Sequence, residues 1–126
     1  MPGANRRDLG AAGEAAAAAW LEARGYTILA RNVRTRYGEI DLVARHGPWV
    51  VFVEVKSRTG EAFGHPAEAI VPLKQYRLIR LAASYLHRWG LDHCAVRFDA
   101  IGVRLDSAGT VGEIEHIRDA FQIGDT

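Results

Sequence analysis

The sequence is short of the residues that staple small proteins. A single cysteine, Cys94, rules out an internal disulfide and fits a reducing compartment; its plainest role is that of a small, partly buried side chain. His46, His65, His87, His93 and His116 show no metal-ligand spacing and read as ordinary surface or core-edge residues. There is no phosphate-cradling glycine loop, no zinc-type cysteine pair and no internal repeat. No apolar run is long enough to cross a bilayer, and the start MPGANRRDLGAAGE does not read as a signal peptide, so no membrane partner and a cytoplasmic location are expected. Charge of one sign is also lacking. Sixteen Lys and Arg stand against fifteen Asp and Glu, so any surface that attracts a polyanion must be local.

What remains is an ordinary globular composition, 48% hydrophobic and 25% charged, and the 126 residues suit one domain, 1–126, with a core of its own. Ala-, Leu- and Glu-rich Asp8–Arg24 predicts a helix stopped by Gly25. Tyr26–Val33 has the β-branched and aromatic content of a strand, and Thr59–Pro66 reads as a mobile loop. A second helix is predicted over Pro72–Trp89, with Leu78, Ala82, Tyr85 and Trp89 as its apolar stripe and Lys74 one turn before Leu78. Ala95–Leu105 alternates as a strand; Val111–Ile117 is a weaker one, joined to it by the Asp106–Gly109 turn. Ile123–Thr126 should fray.

The chain is organised around Gly38–Arg58, read as strands Glu39–Arg45 and Trp49–Lys56 about the His46-Gly47-Pro48 break. If Asp41 lies opposite Glu54, one hairpin face carries Glu39, Asp41, Val43, Val50, Phe52, Glu54 and Lys56. The other face, with Ile40, Leu42, Ala44, Val51, Val53 and Val55, is apolar. A one-residue slip would separate the two acids. Carboxylates about 4 Å apart repel by roughly 4 kcal/mol at an effective dielectric near 20, so one must hold its proton unless a cation intervenes. A hard ion such as Mg²⁺ is one such cation; Lys56 pairing with Glu39 or Glu54 on a solvated sheet is the alternative.

Helical spacing puts Glu14 on the stripe of Leu21, near Ala17 and Ala18, which turns it toward the sheet; as a first-turn acid it could equally face solvent. Arg31, Arg34 and Arg36 with Tyr37, and Lys74, Arg77 and Arg80 on the second helix, suit phosphate contacts, as does Arg58 just after the acid-X-Lys segment.

The acid, spacer and acid-X-Lys pattern of Asp41 and Glu54-Val55-Lys56 resembles the restriction-endonuclease-like superfamily. More closely, the chain resembles the YraN-like family of small bacterial proteins, related in fold to archaeal Holliday junction resolvases. The resemblance rests on Gly13-Glu14, Asn32, Gly38-Glu39-Ile40-Asp41, Phe52-Val53-Glu54-Val55-Lys56, Lys74 and Arg97-Phe98-Asp99. It implies a mixed α/β sheet in the order helix-strand-strand-strand-helix-strand-strand. It also implies Asp41 and Glu54 as ligands of Mg²⁺ or Mn²⁺, Lys56 as the residue that positions or activates water, and Glu14 as an accessory acid. Ile40 departs from the proline in the superfamily's pattern. The expected activity is hydrolysis of DNA phosphodiester bonds, on branched or junction DNA among other forms, with Arg34, Arg36, Arg58, Lys74 and Arg77 on the nucleic acid. Paired cuts at a junction would call for a homodimer. The alternative is a non-catalytic nucleic-acid-binding module that keeps the fold, and a third reading is an interaction domain whose acids are structural.

Overall fold

A computed structural model of the chain describes residues 6–59 and 70–121. Its elements are helix α1 (Arg6–Ala23), strands β1 (Thr27–Thr35), β2 (Gly38–His46) and β3 (Trp49–Thr59), helix α2 (Pro72–Arg88), and strands β4 (Ala95–Leu105) and β5 (Val111–Phe121). This is the expected mixed α/β order. The strands form one sheet in the order β1-β2-β3-β4-β5, antiparallel except for the β3–β4 pair, whose connection runs through α2. The expected loop beyond Thr59, His65 and the expected C-terminal fraying lie outside the described residues.

Each helix covers one sheet face. Ala17, Ala18 and Leu21 of α1 are fully buried against Leu42, Ala44, Val51, Val53 and Ile101. Small side chains let this helix lie close. At Gly13 the approach is closest: a Cβ there would collide with Ser57 Oγ and come to 3.1 Å from Ser57 Cβ on β3. On the other face, Leu78, Leu81, Ala82, Tyr85 and Leu86 of α2 pack on Val43, Val50, Phe52 and Phe98. Trp89 does not complete this stripe. It caps the helix at φ −101°, is 60% exposed, and Leu81 and Leu86 carry the burial instead.

The β2–β3 ladder pairs Leu42 with Val53, Val43 with Phe52 and His46 with Trp49. That register sets Asp41 against Glu54, as the alternation predicts. Ile40, however, packs with Val43 and Phe52 on the α2 side rather than with Leu42. The cause lies in β1, where Asn32, opposite Asp41 between the Arg31–Leu42 and Val33–Ile40 pairs, is left-handed at φ 51°. Asparagine tolerates that conformation, and it breaks the two-residue alternation in both strands. The strands also run further than expected: β1 to Thr35, β2 by one residue at each end, β3 to Thr59, where the loop was expected to start, and β5 to Phe121, which stacks on Phe98 at 4.5 Å.

Two helical glycines give a direct test of the α1 contact. Gly10 has open space around its Cα, so Gly10→Ala should raise stability by up to about 1 kcal/mol through helix propensity. Gly13→Ala should forfeit that gain and destabilise by about 1 kcal/mol or more as α1 is pushed from Ser57. Urea denaturation of the two variants checks the contrast; equal stabilisation would mean that α1 does not seat on β3 at Gly13.

Candidate active site

The ladder between β2 and β3 ends at Leu42–Val53, and beyond it a side chain takes over from the backbone. Asp41 Oδ2 accepts the Val55 N–H at 2.7 Å, the bond a strand carbonyl would otherwise make. Asp41 therefore sits in the opening between the strands, accessible from both layers. Glu14, on the turn of α1 after Gly13, stands near enough for its charge to raise the Asp41 carboxyl. Glu54, only 8% exposed, lies on the neighbouring strand and receives an ion pair from Lys74 of α2. Three carboxylates and one ammonium thus meet where the sheet opens.

The electrostatics follow from burial. Asp41 is pushed up to about 6, first by loss of water and then by Glu14, against the opposing Val55 hydrogen bond. Burial also raises Glu54, reinforced by Asp41, although Lys74 and Lys56 oppose it. The Lys74 ammonium offsets part of the negative charge at Glu54. Lys74 was expected on phosphate; it points into the acids because its position one turn before buried Leu78 aims it at Glu54.

Lys56 lies within Coulombic range of Glu54 and lines a recess on the α1 side with Glu14, Ser57 and Arg58. On the α2 side, Asp41, Glu54, Lys74 and Arg77 line a cavity of about 330 Å³ together with Tyr37 and Leu73. Arg34 is exposed and pairs with Glu39 at 3.2 Å; Arg36 lies over the Tyr37 ring, its centroid 4.9 Å away. Asp41, Glu54, Glu14 and Lys74 are therefore one cluster, Lys56 and Arg77 stand at its rims, and Arg34, Arg36 and Arg58 stand further out on the surface.

A metal fits this donor set in one way. Among the described residues no group of three or more Asp, Glu, His or Cys side chains is arranged to hold an ion. Two carboxylates, half-buried Asp41 and buried Glu54, are nonetheless the number that Mg²⁺ commonly takes from protein, with water and phosphate oxygens supplying the rest. Burial raises the affinity of both for protons, and a bound cation would oppose that shift.

A second polar network was not anticipated from the sequence. Asp99, fully buried on β4, accepts Arg97 Nε at 2.8 Å and Arg97 Nη2 at 2.9 Å, together with the Asp119 N–H at 3.0 Å. His116 Nε2 lies 2.7 Å from its other oxygen, while Trp20 Nε1 donates to His116 Nδ1 at 3.4 Å. Arg97 Nη2 also donates to Tyr26 Oη at 2.7 Å, and Tyr26 stacks on His46 at 4.0 Å. Burial alone would push the Asp99 carboxyl up, but the hydrogen bonds from His116 and Arg97 bring it below its ordinary range. His116 is thus a core-edge residue, as expected, with hydrogen-bond partners at both ring nitrogens that the sequence did not show; the visible signal of the network was Arg97 and Asp99 at strand spacing on one face.

The family model "Uncharacterised protein family UPF0102" matches residues 13–103, from Gly13 within α1 to Val103 near the end of β4. The chain belongs to the UPF0102 family. A UPF0102 protein of Rhodococcus jostii (strain RHA1) is 48% identical over 113 residues, covering 90% of this chain and 95% of the relative. One of Leifsonia xyli subsp. xyli is 49% identical over 114 residues, with 90% and 96% covered. One of Symbiobacterium thermophilum is 55% identical over 97 residues, with 77% and 82% covered. The UPF0102 match takes in Glu14, Asp41, Glu54, Lys56 and Lys74, but leaves out His116 and Asp119 of the second network.

The raised Asp41 carboxyl fixes a pH dependence. The folded protein binds this proton more tightly than the unfolded chain, where the group titrates near 3.8. The resulting stabilisation is full below about pH 3.8 and is lost as pH rises through about 6. Asp41→Asn keeps an oxygen for Val55 and carries no charge. In EDTA at pH 8 its thermal midpoint should exceed that of the wild type, the gap closing below pH 5; an equal or lower midpoint at pH 8 would contradict the electrostatic reading.

Proposed function

We propose that this UPF0102 protein is a Mg²⁺- or Mn²⁺-dependent nuclease that hydrolyses DNA phosphodiester bonds. The observation that carries the reading is the gathering of Glu14, Asp41 and Glu54 at the open end of the β2–β3 ladder, where burial raises both strand acids. A fold gains nothing in stability from placing like charges there, and active sites are where such perturbed groups collect. Asp41 and Glu54 would hold the ion, which when bound acts as a Lewis acid toward phosphate and makes a water nucleophilic near neutral pH.

The chain's own groups supply the remainder. Lys56, at the rim, stabilises negative charge that develops on the phosphate as it is attacked. Glu14, whose charge helps to raise the Asp41 carboxyl, is the accessory acid beside the ion. Lys74 orients Glu54 through its ion pair. Arg34, Arg36, Arg58 and Arg77 position the strand through phosphate contacts that carry no sequence information.

One observation favours a second reading, a DNA-binding module without catalysis. Lys74 already provides Glu54 with a cation, so part of the charge deficit is met without a metal.

The two readings part on one experiment. Linear, nicked, flapped and four-way DNAs are incubated with Mn²⁺, and binding is measured separately in Ca²⁺. Lys56→Ala and Asp41→Ala should each lower cleavage by at least about a hundredfold, while Lys56→Ala keeps most of the affinity. Replacing Arg34 and Arg36 should weaken binding across sequences and flatten its salt dependence. Salt-sensitive binding by a wild type that cuts none of these DNAs would replace the enzyme by the module.

A further inference from the structure

Resting on the DNA-directed reading above, we infer that the groove between α2 and the edge strand β1 binds a single-stranded segment of DNA and leads it to Asp41 and Glu54. The groove starts at the acid cavity, where Arg77 and Tyr37 stand beside Lys74. Further along α2, the Arg80 guanidinium lies 5.1 Å from the Tyr37 ring centroid and 5.6 Å from that of Tyr76. Toward the end of α2 a separate apolar recess of about 620 Å³ lies between Leu29, Val33, Tyr85 and Trp89, flanked by Arg34 and Arg88. From Lys74 to Trp89 the helix advances by about 22 Å, at roughly 1.5 Å per residue.

Charge and ring faces together select the occupant. Tyr76 and Trp89 are 59% and 60% exposed, and Arg88 lies 5.6 Å from the Trp89 centroid. Bases in a duplex stack on one another and offer outside partners only their edges and phosphates. Unpaired bases present their faces, and alternating aromatic and cationic side chains along a groove are the arrangement that takes them. The acid on this path, Glu39, is paired with Arg34. Because β1 is an edge strand and the recess is apolar, a second copy of the chain is the competing occupant.

The test measures anisotropy of a labelled oligothymidine and of a blunt duplex of equal length in EDTA, so that no cleavage intervenes. The single strand should bind at least about tenfold more tightly. Trp89→Ala and Tyr76→Ala should each weaken it by roughly tenfold, changing duplex binding less than twofold, and Arg88→Ala should flatten the salt slope. Both aromatic residues are exposed, so unchanged thermal midpoints will show that the variants fold.

Equal affinity for the two DNAs, or variants that bind oligothymidine as the wild type does, overturns the inference. So does a dimer in sedimentation without DNA that Trp89→Ala dissolves, since the groove would then be a self-interface. Cleavage with Mn²⁺ separates this inference from the one it rests on. Cutting with no role for Trp89 removes the groove and leaves the nuclease, whereas Trp89-dependent binding without cutting keeps the groove and removes the nuclease.

Discussion

Three carboxylates held close together, partly out of water, are the constraint around which the chain is arranged. Like charges so placed repel one another at a cost that a low local dielectric increases. The fold meets that cost with specific devices. The β2–β3 ladder stops at Leu42–Val53 so that Asp41 can take the Val55 N–H. Asn32, left-handed opposite Asp41, breaks the alternation that would commit this side chain to one face. Gly13 brings α1 down on Ser57 and thereby delivers Glu14, while α2 delivers Lys74 from the other layer.

The two layers divide the work. The α1 layer is close-packed and rich in alanine, and it contains the Asp99 network, which ties β4 to β5, to Tyr26 before β1 and, through His116, to Trp20 of α1. A buried ion pair of this kind contributes little net stability, yet losing one partner strands the other's charge. Its value lies in fixing which strands and helix meet. The α2 layer buries larger side chains and leaves arginines and aromatic rings exposed on its outer side.

Much of this was legible because the hairpin repeats with a period of two. Val50, Phe52 and Glu54 alternate with Val51, Val53 and Val55, and a short turn allows few registers, so the opposition of Asp41 to Glu54 could be read directly. Helical spacing likewise put Glu14 on the stripe of Leu21, although a solvent-facing first-turn acid was an equal reading. The departures arise where periodicity is broken or where partners are distant in sequence. Ile40 changes face because Asn32 adopts a left-handed conformation that its identity permits but does not announce. Trp89 leaves the α2 stripe because the helix ends before it. His116 joins Asp99 across seventeen residues and Trp20 across ninety-six, separations that local pattern cannot reveal. Lys74 was placed on the correct helix face, but whether its charge meets phosphate or Glu54 depends on how α2 docks.

The central claim is that Asp41 and Glu54 are held apart from water in order to receive a divalent cation. Calorimetric titration of the DNA-free protein with Mn²⁺ at pH 8 tests it most directly, beside Asp41→Asn and Glu54→Gln variants. The account predicts one or more saturable sites in the wild type and their loss in both variants. Saturable binding that survives both substitutions, or none in a folded wild type, would contradict it.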